Sequence, residues 1–364
     1  MTKAGIGTWS TQQPMDLKDR TSTFVQLGRV LALFGSKAPW PGHACGLNEA
    51  EYLQFDRTIA GAHHLNGWYT EGEVRHALLG LAHLLDAERM DHWLATYPKL
   101  GEDRSPRTVG LILAGNVPLV GFHDLLCTLL SGHRARVKCS SQDAGLTAGV
   151  VELLQRFSPE LHARVELVEG RLGTVDAVIA TGSNNTARYF EHYFAHVPRI
   201  VRKSRVSVSV LDGSETDAEL AALGEDVFRY FGLGCRNVSK LFIPQHFDLD
   251  RVFRALFPWK DIVLHGKYAN NYDYYRALWL LDREPFLENG FLIVKETAAL
   301  ASPVSVLYVE RYSEGLELKA RLDAEANSIQ CIVGHAYLPF GTAQQPGPED
   351  YADGVDTLAF LLEL

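Results

Sequence analysis

The sequence predicts an α/β fold: an open, largely parallel sheet followed by a second α/β unit. Two observations predict it. Between residues 107 and 205, short apolar runs of strand length alternate with segments whose apolar residues recur at helical spacing. Beyond 205 the alternation resumes after a change of texture, and 364 residues with 46% hydrophobic and 22% charged side chains suffice for two domains with separate cores.

Taken in chain order, the first 20 residues are polar and read as a loose arm, and residues 23–34 carry a helical pattern that Pro39-Trp40-Pro41-Gly42 breaks. Residues 48–94 are largely helical, with Thr70-Glu71-Gly72-Glu73 as a helix start, and this layer is expected to pack over the sheet. The run Thr108 to Gly115 is a buried strand opening into a loop. A helix over 120–130, a strand over 136–140, a helix over 147–157 and strands over 163–168 and 176–183 complete a parallel sheet, whose ligands lie beyond the carboxyl ends of its strands. Residues 205–210 alternate as a half-buried strand; helices follow at 217–230, 248–256 and 271–282, and strands at 239–244, 291–294 and 304–309. The expected division is 1–205, 206–335 and a C-terminal segment 336–364 that opens with a Gly/Pro/Gln-rich connector.

Charge and composition exclude several functions. With 44 Asp+Glu against 35 Lys+Arg the net charge is -9, without long blocks of one sign, so a nucleic-acid groove is disfavoured. No stretch is apolar enough for a membrane span and the N-terminus lacks a secretory pattern, so a soluble cytoplasmic protein is expected. Five scattered cysteines form neither a disulfide framework nor a C-x-x-C zinc pair, and no His-Glu-x-x-His motif exists, so no metal is expected. A Gly-x-Ser-x-Gly elbow is also missing, which argues against a serine hydrolase.

Cys235 stands between a Gly-x-Gly turn and a strand, beside Arg236 and near Lys240 in sequence. Glycines allow close approach of a substrate, and positive neighbours favour the nucleophilic thiolate; the competing reading is a buried structural cysteine. Gly232-Leu233-Gly234-Cys235-Arg236-Asn237 half-matches a dinucleotide fingerprint, but it follows a helix and precedes a strand, the reverse of that motif. At the first strand end, Asn116 in Gly115-Asn116-Val117-Pro118 is either an oxyanion donor or a residue that closes the turn. Lys138 is either a cofactor ligand or a surface charge, and Thr181-Gly182-Ser183 either presents backbone N–H groups to phosphate or ends in a plain N-cap. His123, His265 and His335 are acid-base candidates, and the tyrosine-rich stretch 268–275 reads as a packed surface or interface.

In order and spacing, Gly115-Asn116-Val117-Pro118, Lys138, Thr181-Gly182-Ser183 and Gly-flanked Cys235 resemble the signature of the aldehyde dehydrogenase superfamily. More narrowly, residues 114–124, 231–240 and the ending Tyr351-Ala352-Asp353-Gly354-Val355-Asp356-Thr357 are similar to the acyl-CoA reductase family of the bioluminescence fatty acid reductase (LuxC). The resemblance implies a Rossmann-type nucleotide-binding domain plus an α/β catalytic domain, and an NADPH-dependent long-chain acyl-CoA reductase working through an acyl-cysteine. It implies Cys235 as nucleophile, Asn116 with the Cys235 N–H as oxyanion donors, Lys138 at the adenosine ribose, Ser140 as a further cofactor-binding residue, and Thr181, Gly182 and Ser183 near the pyrophosphate or nicotinamide. Acid-forming relatives carry a Glu base where this chain has Arg199 to Ser204, so deacylation by water is expected to be slow. Ser141, three residues after Lys138, replaces an acid that repels a 2'-phosphate, which permits NADP(H). Implied partners are an acyl-CoA or an acyl carrier protein, and a homo-oligomer. Alternatives are a carrier-protein thioester reductase, a cysteine acyltransferase or thioesterase on the same scaffold, and a non-catalytic binding protein.

Overall fold

The structure, a computed structural model, describes residues 15–364. Helix α1 (Leu17–Gly35) begins earlier than the sequence pattern suggests, because Asp16 accepts the Lys18 N–H and caps it. Residues 17–20 of the expected arm are therefore helical, and the arm up to residue 14 lies outside the described residues. A reciprocal Asn48–Glu51 box starts α2 (Glu49–Gly61), and α3 (Glu71–Leu84) and α4 (Ala87–Ala95) follow. This layer buries Phe24, Leu31, Ile59, Leu78 and Trp93 in one core with Val109 and Leu111 of the first sheet.

Among the described residues the strands form two sheets. The first is parallel, ordered β3-β2-β1-β4-β5, with β1 (Thr108–Ile112), β2 (Arg134–Lys138), β3 (Val165–Leu167), β4 (Ala177–Thr181) and β5 (Arg199–Arg202). Helices α5 (Phe122–Leu130), α6 (Ala144–Phe157), α7 (Pro159–His162) and α8 (Asn184–Tyr193) connect them. The chain runs outward from β1 to β3 and then returns to the other side of β1, so the strand order reverses between β1 and β4. Open α/β sheets bind their ligands outside the carboxyl ends at such a reversal. Ile112 pairs with both Lys138 and Ala180, so the loops holding Asn116, Lys138 and Thr181 leave the sheet side by side.

The second sheet is ordered β11-β6-β7-β10-β9-β8, parallel except for β8 against β9. It contains β6 (Val206–Val210), β7 (Val238–Pro244), β8 (Leu287–Glu288), β9 (Ile293–Glu296), β10 (Val306–Tyr312) and β11 (Ile329–Val333). Around it lie α9 (Asp217–Phe228), α10 (Leu249–Leu256), α11 (Gly266–Asp282) and α12 (Gly315–Ala324). After β11 the chain turns back, and α13 (Thr357–Leu362) buries Leu358 and Leu361 in the core of the first sheet. His133 Nε2 donates to the Leu361 carbonyl at 2.8 Å, and Arg104 Nη1 to the Leu362 carbonyl at 3.0 Å. No helix among the described residues is long and apolar enough to cross a membrane.

Candidate active site

Two loops meet at the site, one from each sheet. The loop after β1 starts at Gly115, where any Cβ would sit 2.4 Å from Ser140 Oγ, so glycine is what allows the β1 and β2 ends to close together. Further along, Leu119 has a left-handed backbone (φ 56) and donates its N–H to Asp143 Oδ1 at 3.3 Å. Asp143 is buried, accepts the Thr147 hydroxyl at 2.9 Å, and burial pushes its carboxyl up to about 7. Between these anchors Asn116 is exposed, and its Nδ2 donates to the Leu233 carbonyl at 2.7 Å. An amide nitrogen has two N–H groups, so this bond uses one of them.

The other loop presents Cys235. After α9 the backbone makes three successive left-handed residues, Tyr230 (φ 52), Phe231 (φ 57) and Gly232 (φ 78). For the two non-glycine residues this costs about 1–2 kcal/mol each, so the surroundings must hold them. Glu73 on α3 accepts the Tyr230 N–H at 2.9 Å and Arg229 Nη1 at 3.3 Å, while the Phe231 ring packs against His265 (centroids 4.3 Å apart) and Trp68. Asn237 completes the clamp: its Oδ1 accepts the Gly234 N–H at 2.7 Å, and its Nδ2 donates to the Asp226 and Arg229 carbonyls. From β6, Ser207 Oγ donates to the Cys235 carbonyl at 3.0 Å and lies 3.0 Å from Cys331 Sγ.

Cys235 is partly exposed and opens onto a cavity of ≈190 Å³. Burial pushes its thiol up, Arg236 pulls it down, and Asp353 and Cys331 push it up further. Of the two cations expected to favour the thiolate, only Arg236 does so. Lys240 is fully buried on β7, where its ammonium is paired with Glu310 and bound to the Thr297 and Ala299 carbonyls. Arg202 also lines the cavity, in the segment where acid-forming relatives were expected to hold a Glu; it is buried and paired with Asp124. Among the described lining residues the carboxylate is Asp350, which is exposed and accepts the Gly347 N–H at 2.8 Å.

The histidines separate by position. His123 lines the cavity, but burial lowers its pKa and its Nε2 donates to the Pro348 carbonyl at 2.8 Å. His265 braces the cysteine loop through Phe231 and donates Nε2 to the Gly67 carbonyl, and His335 lies outside the cavity lining between Asp212 and Glu219. Of the tyrosine-rich stretch, Tyr268 and Tyr272 are buried with their hydroxyls bonded to the Phe291 carbonyl and Glu288, while Tyr274 is exposed.

The remaining sequence candidates surround the strand-order reversal. Lys138 and Ser140 are partly exposed where β2 ends, and Ser140 Oγ accepts the Gln142 N–H at 3.3 Å. Thr181 and Gly182 are partly exposed after β4, and Ser183 caps α8 by accepting the Thr186 N–H at 3.3 Å. That bond satisfies one of the free N–H groups at the α8 start, so the structure shows the capping reading of Ser183. Gly115, Lys138 and the α8 start thus lie around the strand-order reversal, where open α/β sheets bind their ligands. The sequence reading missed Glu73, Asp143 and Asn237. For Glu73 a signal existed in Thr70-x-x-Glu73: Thr70 does cap α3, accepting the Glu73 N–H at 3.3 Å, but the Glu73 carboxylate reaches to the cysteine loop instead of back to the cap.

A parallel sheet with a nucleotide-type strand reversal and a largely parallel one presenting a thiol on a constrained turn define an aldehyde dehydrogenase-like α/β fold. The fold is similar to the NAD-dependent aldehyde dehydrogenase from Sinorhizobium meliloti (TM-score 0.62, 15% identity, 90% of this chain and 71% of that one). It is likewise similar to the NADP-dependent glyceraldehyde-3-phosphate dehydrogenase from Bacillus halodurans C-125 (TM-score 0.60, 14% identity, 89% and 74%). The chain belongs to the acyl-CoA reductase (LuxC) family, whose sequence model matches residues 66–256. A long-chain acyl-protein thioester reductase 2 from Photobacterium leiognathi is 26% identical over 192 residues, a match that spans 48% of this chain and 40% of that relative's length.

Proposed function

We propose that this protein reduces an acyl-CoA thioester to an aldehyde with NADPH, through an acyl group held on Cys235. The observation that carries the reading is the partly exposed Cys235 thiol on its clamped turn, opening onto a mostly apolar cavity with the Asn116 amide bonded to the same turn. In the first step the Cys235 sulfur attacks the thioester carbonyl, the bond to the CoA sulfur breaks, and the proton of the Cys235 thiol leaves with CoA. Asn116 and the Cys235 N–H bind the oxygen on which negative charge gathers. In the second step the acyl–sulfur bond breaks and the aldehyde departs as Cys235 recovers a proton. NADPH, when bound, supplies the hydride for this step; Lys138, Ser140, Thr181, Gly182 and Ser183 are the residues we assign to holding it. Arg202, its charge committed to Asp124, stands in place of a Glu base, and the carboxylate in the lining, Asp350, accepts the Gly347 N–H; this supports reduction over hydrolysis of the acyl-enzyme.

A second reading replaces CoA with a carrier protein, and the similarity to the Photobacterium long-chain acyl-protein thioester reductase favours it. One experiment addresses both. Purified protein is mixed with NADPH or NADH and either acyl-CoA or acyl-carrier thioesters, following cofactor oxidation and aldehyde, with Cys235→Ala in parallel. The expected result is NADPH oxidation with acyl-CoA that is abolished in Cys235→Ala. A lower KM for NADH than for NADPH overturns the cofactor assignment, turnover of carrier thioesters alone moves the reading to the second form, and acylation of Cys235 without cofactor oxidation points to an acyltransferase.

A further inference from the structure

The apolar wall of the Cys235 cavity is one face of α3, on which Ala77, Gly80, Leu81 and Leu84 fall at helical spacing. Val117 and Leu119 of the β1 loop close it on another side, and the backbone around Gln344 faces α3. Its volume is ≈190 Å³. For scale, an apolar protein cavity of roughly 150 Å³ accepts one benzene molecule.

We propose that this α3-lined cavity is the acyl-chain pocket of a medium-chain substrate, seating about six to eight carbons of a linear acyl group. The inference rests on the acyl-Cys235 reading above and adds to it a chain length and the residues that set it. Each methylene moved from water into the pocket improves binding about fourfold. Methylenes beyond the length the pocket holds stay in water and add nothing. Gly80 is the position that sets the limit: a Cβ there meets only the Gln344 carbonyl, at 3.9 Å, so a side chain has room to enter without displacing backbone. Replacing a helix-interior glycine also favours α3 itself.

The test measures the pocket independently of thioester chemistry. Alkyl methanethiosulfonates with two to fourteen carbons transfer their S-alkyl group to a thiol and release methanesulfinate; the rate at Cys235 in the full chain is read by peptide mass spectrometry. The expected profile climbs about fourfold per methylene to six to eight carbons and is flat beyond. In Gly80→Leu the break moves to about four carbons, and in Leu81→Ala, which enlarges the cavity, it moves two or three carbons higher. A climb that continues to fourteen carbons overturns the proposal, as does an unmoved break in both variants when each is folded by circular dichroism. The acyl-CoA and NADPH assay is run on the same chain-length series: matching breaks support both conclusions, while a break in alkylation with no thioester turnover at any length removes the reductase reading and leaves the pocket's limit standing.

Discussion

At the scale of single residues, the site depends on side chains whose hydrogen-bonding capacity is divided between structure and chemistry. Asn116 uses one N–H on Leu233, and the proposed reaction assigns the other to the substrate oxygen. Asn116→Ala is therefore expected to lower kcat by about 10²–10³-fold, the usual loss for one oxyanion donor, with the thioester KM within about threefold of wild type. A mutant that loses KM and keeps kcat shows instead that Asn116 serves only the loop. Asp143 makes the opposite kind of prediction, through stability. Its carboxyl is raised from 3.8 to about 7 by burial, so as pH climbs from about 4 to about 7 the unfolded chain releases this proton first and the folded state loses stability, by roughly 4 kcal/mol at most. Asp143→Asn keeps an acceptor for the Leu119 N–H and cannot ionise, so urea midpoints between pH 4.5 and 7.5 should fall less steeply in the variant than in wild type, with the pH values chosen to bracket that window roughly. Equal slopes in the two proteins sink the assignment.

At the scale of elements, the contact that matters most is between the start of α3 and the end of α9. Glu73 has exchanged a local capping bond for a contact 157 residues away, and it holds the left-handed turn that presents Cys235. Glu73→Ala leaves a buried Tyr230 N–H unpaired and Arg229 with only Glu225, and is expected to cost about 2–4 kcal/mol, measured by denaturant unfolding, along with slower alkylation of Cys235. Wild-type alkylation in a destabilised variant separates a structural role from a positioning one. The same contact marks how far the sequence was legible. Alternating strand and helix patterns located β1, β2, β4, β6 and β7, because each is a local run whose period survives in the chain. The strand β5 escaped because its inward positions are Ile200 and the buried charge Arg202, which breaks the apolar pattern. The glycine-flanked turn at Cys235 and the strand-end loop at Asn116 were readable in the sequence, whereas Glu73, Asp143 and Asn237 act through tertiary contacts for which no local period exists. Lys240 misled for a related reason: sequence proximity to Cys235 says nothing of direction, and its side chain is committed to Glu310.

At the scale of the molecule, the C-terminal segment joins the two sheets and closes the site. It leaves β11 in the second sheet, supplies Gln344, Pro346, Gly347, Asp350 and Ala352 to the cavity, and ends with Leu358 and Leu361 in the core of the first sheet. Bonds along its course fix its path: Arg205 pairs with Asp353 at 3.3 Å, Trp93 Nε1 donates to the Tyr351 hydroxyl at 3.0 Å, and Arg202 Nη2 donates to Thr357 Oγ1 at 2.8 Å. Composition alone had set this stretch apart as a connector, since Arg205, Trp93 and Arg202 all lie more than 100 residues upstream of the residues they hold. Because its last helix is an integral part of a core that it does not adjoin in sequence, weakening the anchor is expected to reach the cavity. Leu361→Ala removes a fully buried side chain and should cost about 2–5 kcal/mol. The loss should be accompanied by a raised KM for the thioester, because a loosened segment no longer holds the wall opposite α3, while the rate of Cys235 alkylation by a small reagent rises as that wall opens. Unfolding curves and steady-state kinetics on the same preparation test this directly: a variant with the expected loss of stability but an unchanged KM and unchanged alkylation rate would mean that the wall holds its position without the helix behind it.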